Sequence, residues 1–134
     1  MDLFRPPTVF SYYPPDFPLP GNGTLVGPEF EILTTVTTLK RANFLNQMTF
    51  GGGINVSNPN APNGTALDLT ALQAMTPDAM ADYLNQLLMH GTMSDDMRTN
   101  LIQAINAVAA SNPTKRARTA VYLVATAAQY QVQR

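Results

Sequence analysis

Where the prolines fall decides what this chain can fold into. There are eleven in 134 residues, most of them in the first half. Proline has no backbone N–H to donate and its ring collides with the preceding turn, so it cannot sit in a helix interior. It also biases the residue before it to extended geometry. Arg5-Pro6-Pro7, Tyr13-Pro14-Pro15-Asp16 and Phe17-Pro18-Leu19-Pro20 therefore make residues 1–27 extended and irregular, with a turn at Gly21-Asn22-Gly23. Phe4, Val9, Phe10, Tyr12, Tyr13 and Phe17 lie between those prolines. So aromatic a segment is expected to wrap a helical body.

Three other prolines stand where helices begin, because the N–H missing from proline is unbonded at the first helical position anyway. Pro28 opens a predicted helix over 28–48, with Glu29 and Glu31 in its first turn, where the macrodipole favours anions. Its threonines (Thr34, Thr35, Thr37, Thr38) have weak helix propensity, so part of it has an extended alternative. Residues 49–66 read as a loop rich in Gly, Asn and Pro, and Gly51-Gly52-Gly53 lacks the Lys and Ser/Thr of a phosphate loop.

From residue 67 the pattern predicts three to four helices. Asp68 can cap a short one through Met75. Thr76-Pro77-Asp78 gives a cap, a proline and an acid in order, and Gly91 closes that helix, whose apolar face is Met80, Tyr83, Leu84, Leu87 and Leu88. Ser94 caps the next, with Asp95 and Asp96 in its first turn and Met97, Leu101, Ile102, Ile105 and Val108 as its stripe. Asn112 and Pro113 start the last, read through Arg134. Ala117, Val121, Val124 and Ala128 form one row, and Ala120, Leu123 and Ala127 a second. Small residues let helices approach closely, so this helix is expected to be central. The predicted fold is all-α, a single domain built as a small antiparallel helical bundle with an extended Pro- and aromatic-rich N-terminal segment.

Charge narrows the function. The net charge is -1 and 13% of residues are charged, about half the usual share. That excludes a nucleic-acid surface, which must be basic. No apolar run is long enough to span a bilayer. No basic start precedes an apolar core, so the chain as written has no signal peptide and is expected to stay in the cytoplasm. One histidine and no cysteine leave no multi-histidine zinc site and no cysteine nucleophile, and no metal or cofactor is implied. His90 falls at a helix C-terminus, which suits a capping role. The seven methionines follow the helical stripes and read as core.

Two blocks resemble a known family. Leu3-Phe4-Arg5-Pro6-Pro7-Thr8-Val9-Phe10-Ser11-Tyr12-Tyr13-Pro14-Pro15-Asp16-Phe17, followed by Gly27-Pro28-Glu29-Phe30, is similar to a segment near the end of a large bacterial family known as a domain of unknown function, number eighteen hundred. The run Arg116 to Gln133 resembles that family's closing helix. Members are several times longer, mostly helical and usually exported. The resemblance implies that this chain is a C-terminal fragment, or a truncated frame beginning at an internal Met1, and that the missing part carries the export signal. The family has no agreed catalytic residues to carry over.

Three functional classes follow. The leading one is a helical interaction or structural module whose partner is a second copy or the missing part of the parent. The second is a small carboxylate-dependent hydrolase of glycosides or esters using Asp16, Glu29 and Glu31. These acids neighbour Tyr12, Tyr13 and Phe17 in a pattern suited to a carbohydrate or peptide ligand; the alternative is core aromatics with rim acids paired to Arg5, Lys115 or Arg116. The third is anion binding at Lys115, Arg116 and Arg118, cations at a positive helix end.

Overall fold

The computed structural model describes residues 14–19, 21–32, 34–54 and 64–131, with the backbone alone at 22 and 29. The expected wrap falls largely on residues 1–13, which with Arg5, Tyr12 and Tyr13 lie outside the described residues. The chain divides into two compact units, Met1–Asn43 and Phe44–Arg134.

In the first unit the extended segment is more regular than its prolines suggest. Strand β1 (Pro18–Leu19) pairs antiparallel with β2 (Asn22–Val26), so a small two-stranded sheet accompanies the helices. Pro18 holds its own φ in extended geometry, and Thr24 and Val26 are β-branched, which suits a pleated ribbon. The turn between the strands uses Gly21 at φ 85°, and the Gly27 N–H donates to the Phe17 carbonyl at 2.9 Å.

The helix expected over 28–48 is two elements. Pro28–Ile32 forms a 3₁₀ turn, and α1 runs from Thr35 to Thr49. The break comes from the threonines. The Thr37 N–H donates to Thr34 Oγ1 at 3.1 Å, and the Thr34 N–H donates to Thr37 Oγ1 at 2.9 Å. That is a reciprocal capping box with threonine in the place usually held by Glu or Gln. The Thr37 hydroxyl also bonds to the Ile32 carbonyl, satisfying the end of the 3₁₀ turn. Local hydroxyl chemistry thus starts a helix inside a run whose propensity is poor.

In the second unit, α2 (Thr70–Gln73), α3 (Pro77–Met89), α4 (Asp95–Ala107), α5 (Pro113–Thr126) and α6 (Ala128–Gln131) follow in order. Helices α3, α4 and α5 pack pairwise into a bundle, and α2 and α6 pack on α5. The capping signals hold. Thr76, Ser94 and Asn112 each accept from the backbone N–H three residues on, at 3.3, 3.3 and 2.9 Å. Asp68 differs: it accepts from the N–H and the hydroxyl of Thr70, but the N-cap position of α2 is Leu69, which makes no side-chain cap bond, and α2 ends at Gln73, short of Met75. His90 takes the left-handed conformation at φ 51° and Gly91 follows at φ 82°, so the backbone of His90 ends α3 and its side chain is exposed.

The core is Leu72, Met80, Ala81, Leu84, Met89, Leu101, Ile105, Ala117, Ala120 and Val124. Two stripes are rotated from their expected positions. On α3, Tyr83 and Leu87 are 41% and 57% exposed, while Ala81 is fully buried. On α5, Ala125 is buried, Leu123 is 37% exposed and Ala128 lies outside the core. Alanines on both helices allow close approach, and a close contact selects for small side chains over large ones. Helix α5 also stops at Thr126, short of Arg134. Ala127 is extended (φ -67°, ψ 141°). The Thr126 hydroxyl donates to the Tyr122 carbonyl at 2.7 Å, a back-bond that bends helices. Gln131 Nε2 reaches back to the carbonyls of Ala125 and Thr126, two of the groups a helix end leaves unpaired.

Asp78 and Asp82, which share one face of α3, meet Arg98 of α4. Arg98 Nε and Nη2 donate to the two Asp82 oxygens at 2.8 and 3.1 Å, and Asp78 lies 3.5 Å from Nη2. Those hydrogen bonds hold the Asp82 carboxyl below its usual range and raise the Arg98 guanidinium. A carboxyl lowered in the folded state stabilises the fold above the ordinary carboxylate range. That contribution disappears as pH falls through the folded-state value. Asp82→Asn is expected to flatten this part of the acid-unfolding curve. Its cost at neutral pH should be small because Asp82 is exposed and Arg98 only half-buried. Thermal unfolding followed from neutral to strongly acidic pH tests this, and an unaltered acid limb in the variant would count against the pair.

Candidate functional site

An open groove of about 500 Å³ runs between α4 and the α5–α6 corner. Its α4 side is set by Met97, Asn100, Leu101 and Ala104, a three- and four-residue repeat that turns one helix face towards it. Leu123 and Ala127 form the opposite wall. The break at Ala127 shapes this wall, because an uninterrupted α5 would carry the chain straight past it.

One end is closed by a reciprocal staple. The Ser94 N–H donates to Gln129 Oε1 at 3.2 Å, and Gln129 Nε2 donates to Ser94 Oγ at 2.7 Å. The same Ser94 oxygen caps α4 through the Met97 N–H. The Ser94 hydroxyl is therefore engaged as an acceptor, with amide and backbone partners. Among the described residues lining the groove, Asp96 alone is charged. The described lining is thus an apolar floor with one acid and a few amides.

The residues singled out in the sequence fall elsewhere. Asp16 is exposed on the turn before β1. Glu29 and Glu31 lie in the 3₁₀ turn, where Glu31 is half-buried and its Oε2 is enclosed without a hydrogen-bond partner. Arg116 Nε donates to the Val108 carbonyl at 2.9 Å, satisfying an orphan acceptor beyond the end of α4. Lys115 is exposed and Arg118 half-buried on the same helix. Among the described residues no three of His, Cys, Asp or Glu gather where a metal ion could be held. Nor is any helix long and apolar enough to cross a membrane.

Sequence reasoning missed the groove. Met97 and Leu101 were legible as a stripe, and Asn100 and Ala104 complete the same face. Gln129, however, pairs with a residue 35 positions away, and no local pattern signals that. Compared with protein-family models, curated proteins and solved structures, the chain matches none.

Proposed function

We propose that this chain is a helical interaction module that docks an apolar, helix-borne side chain in the groove between α4 and α5. The observation that carries this reading is the groove itself, with an apolar floor built on two capped helices, one end fixed by the Ser94–Gln129 staple and the Asp96 carboxylate at its rim. Helix-in-groove recognition needs such a surface: rigid, mostly apolar and bounded by polar groups that set orientation. If the chain is the closing portion of a longer exported protein, as its resemblance implies, the remainder of that protein is another source of such a helix.

The carboxylate hydrolase has less support. A glycosidase acid is kept protonated by an apolar pocket and faces a second carboxylate. Asp16 instead stands in solvent on its turn.

The test is a titration with a synthetic amphipathic helical peptide that carries leucines on one face and lysines beside them. The expected result is methyl NMR shifts confined to Met97, Leu101, Ala104 and Leu123. Ala104→Glu, checked by circular dichroism to retain its helices, should weaken binding at least about tenfold by placing a charge on the apolar floor. Shifts spread evenly over the surface, or none, would remove the docking reading.

A further inference from the structure

On the reading of the groove as a docking surface, we infer that its occupant is helix α1 of a second copy of this chain. The presenting face is the N-terminal half of α1. Val36, Leu39, Lys40 and Asn43 follow one another at steps of three, one and three, so they lie on one side of the helix. All four are exposed, with Val36 at 59% and Leu39 at 60%. Two large apolar side chains side by side on a helix face, each more than half exposed, are what a helical ligand offers to a groove. At 1.5 Å per residue α1, α4 and α5 are each about 20 Å long, so a third helix can lie along the other two.

Charge selects α1 over the other exposed helix faces. Helix α1 carries Lys40 and Arg41 and no acid, whereas among the described residues lining the groove Asp96 alone is charged, with Asp95 beside it in sequence. Lys40 sits next to the two apolar anchors, as a cation must if it is to meet Asp96 when they enter. The alternative apolar face, Tyr83 and Leu87 on α3, belongs to a helix with Asp78 and Asp82 and no cation. It has no cation to offer Asp96, and its own acids are already held by Arg98. The polar residues also correspond, since Asn43 on α1 faces a groove edged by Asn100 and Gln129. Each copy thus offers one helix and one groove, and the pairing joins unlike faces.

The test uses the full chain. Sedimentation should show reversible association that depends on concentration. Lys40→Glu and Asp96→Lys should each weaken it about threefold to tenfold, and combining the two in one chain should restore it. Leu39→Asp should weaken it more than either. The chain has no cysteine, so a site-directed cross-link gives a second readout that leaves the core untouched. A Leu39→Cys chain mixed with a Leu123→Cys chain should form the mixed disulfide in preference to either homodimer. A chain that stays monomeric to its solubility limit overturns the inference, as does a predominance of Leu39→Cys homodimer, which would mean that α1 pairs with α1. Charge reversals that fail to compensate overturn it too. If the chain is monomeric and the synthetic peptide still shifts the groove methyls, self-pairing is wrong and the docking reading stands; if the peptide has no effect either, both fall.

Discussion

Leu84→Ala is expected to cost about 2–5 kcal/mol of folding stability, the range for removing a large side chain from a core that relaxes only in part. Leu84 is among the largest fully buried side chains, with Met80, Ile105 and Val124, and these four come from α3, α4 and α5. A void there withdraws contacts from all three helices at once. Small domains are stable by about 5–15 kcal/mol in total, so the variant should come close to unfolding near physiological temperature. The opposite change, Ala120→Leu, should cost about 1–3 kcal/mol by overpacking, because Ala120 is completely buried where α5 meets its neighbours. Urea unfolding, with the slope checked for constancy, measures both. A loss well under 1 kcal/mol for Leu84→Ala would mean that the three helices are not held by a shared core. The groove would lose its warrant as well, since α4 and α5 are positioned by these residues.

What could be read in advance follows how locally each feature is encoded. The starts of α3, α4 and α5 were legible because a cap, a proline or an acid sits within four residues of each. The centrality of α5 was legible from its alanines, and Ala117 and Ala120 are in the core. The ends and breaks were harder. Thr34 and Thr37 form a cap by exchanging hydrogen bonds, where propensity alone offers only weak helix or strand. Thr126 bends the chain out of α5 through one back-bond inside an otherwise continuous alanine pattern. The wall of the groove at Leu123 and Ala127 depends on that bend, so an error of a few residues in one helix end hid the site. Two contacts lay beyond any local signal, because both join distant residues: the Arg98 clamp on Asp78 and Asp82, and the staple of Ser94 by Gln129. The Phe50 ring, set edge-on to Tyr122 at 5.7 Å between centroids, is a third.

Gly53→Ala is expected to be the most damaging change in the glycine run, which reads from the sequence as part of a loop. Gly53 has φ +104°, and a Cβ there would stand 2.4 Å from the Thr65 carbonyl oxygen and 3.0 Å from Ala66 Cα. Both obstacles are backbone, so neither can turn aside as a side chain would. The position is fixed on other sides too. Its carbonyl accepts from Gln47 Nε2 at 3.1 Å, and the next residue, Ile54, exchanges backbone hydrogen bonds with Thr65 at 2.8 and 2.9 Å. The substitution thus adds a steric clash to a conformation that residues other than glycine rarely adopt. An alanine at positive φ alone costs about 1 kcal/mol. Gly52 provides the comparison, since its φ is +85° but nothing lies within 4 Å of a Cβ built there. Gly52→Ala should therefore show the conformational cost alone. Gly53→Ala should exceed it and speed amide hydrogen exchange at Ile54 and Thr65. Equal losses in the two variants, with that exchange unchanged, would show that left-handed backbone is the whole requirement and that the bridge does not depend on the close approach at Gly53.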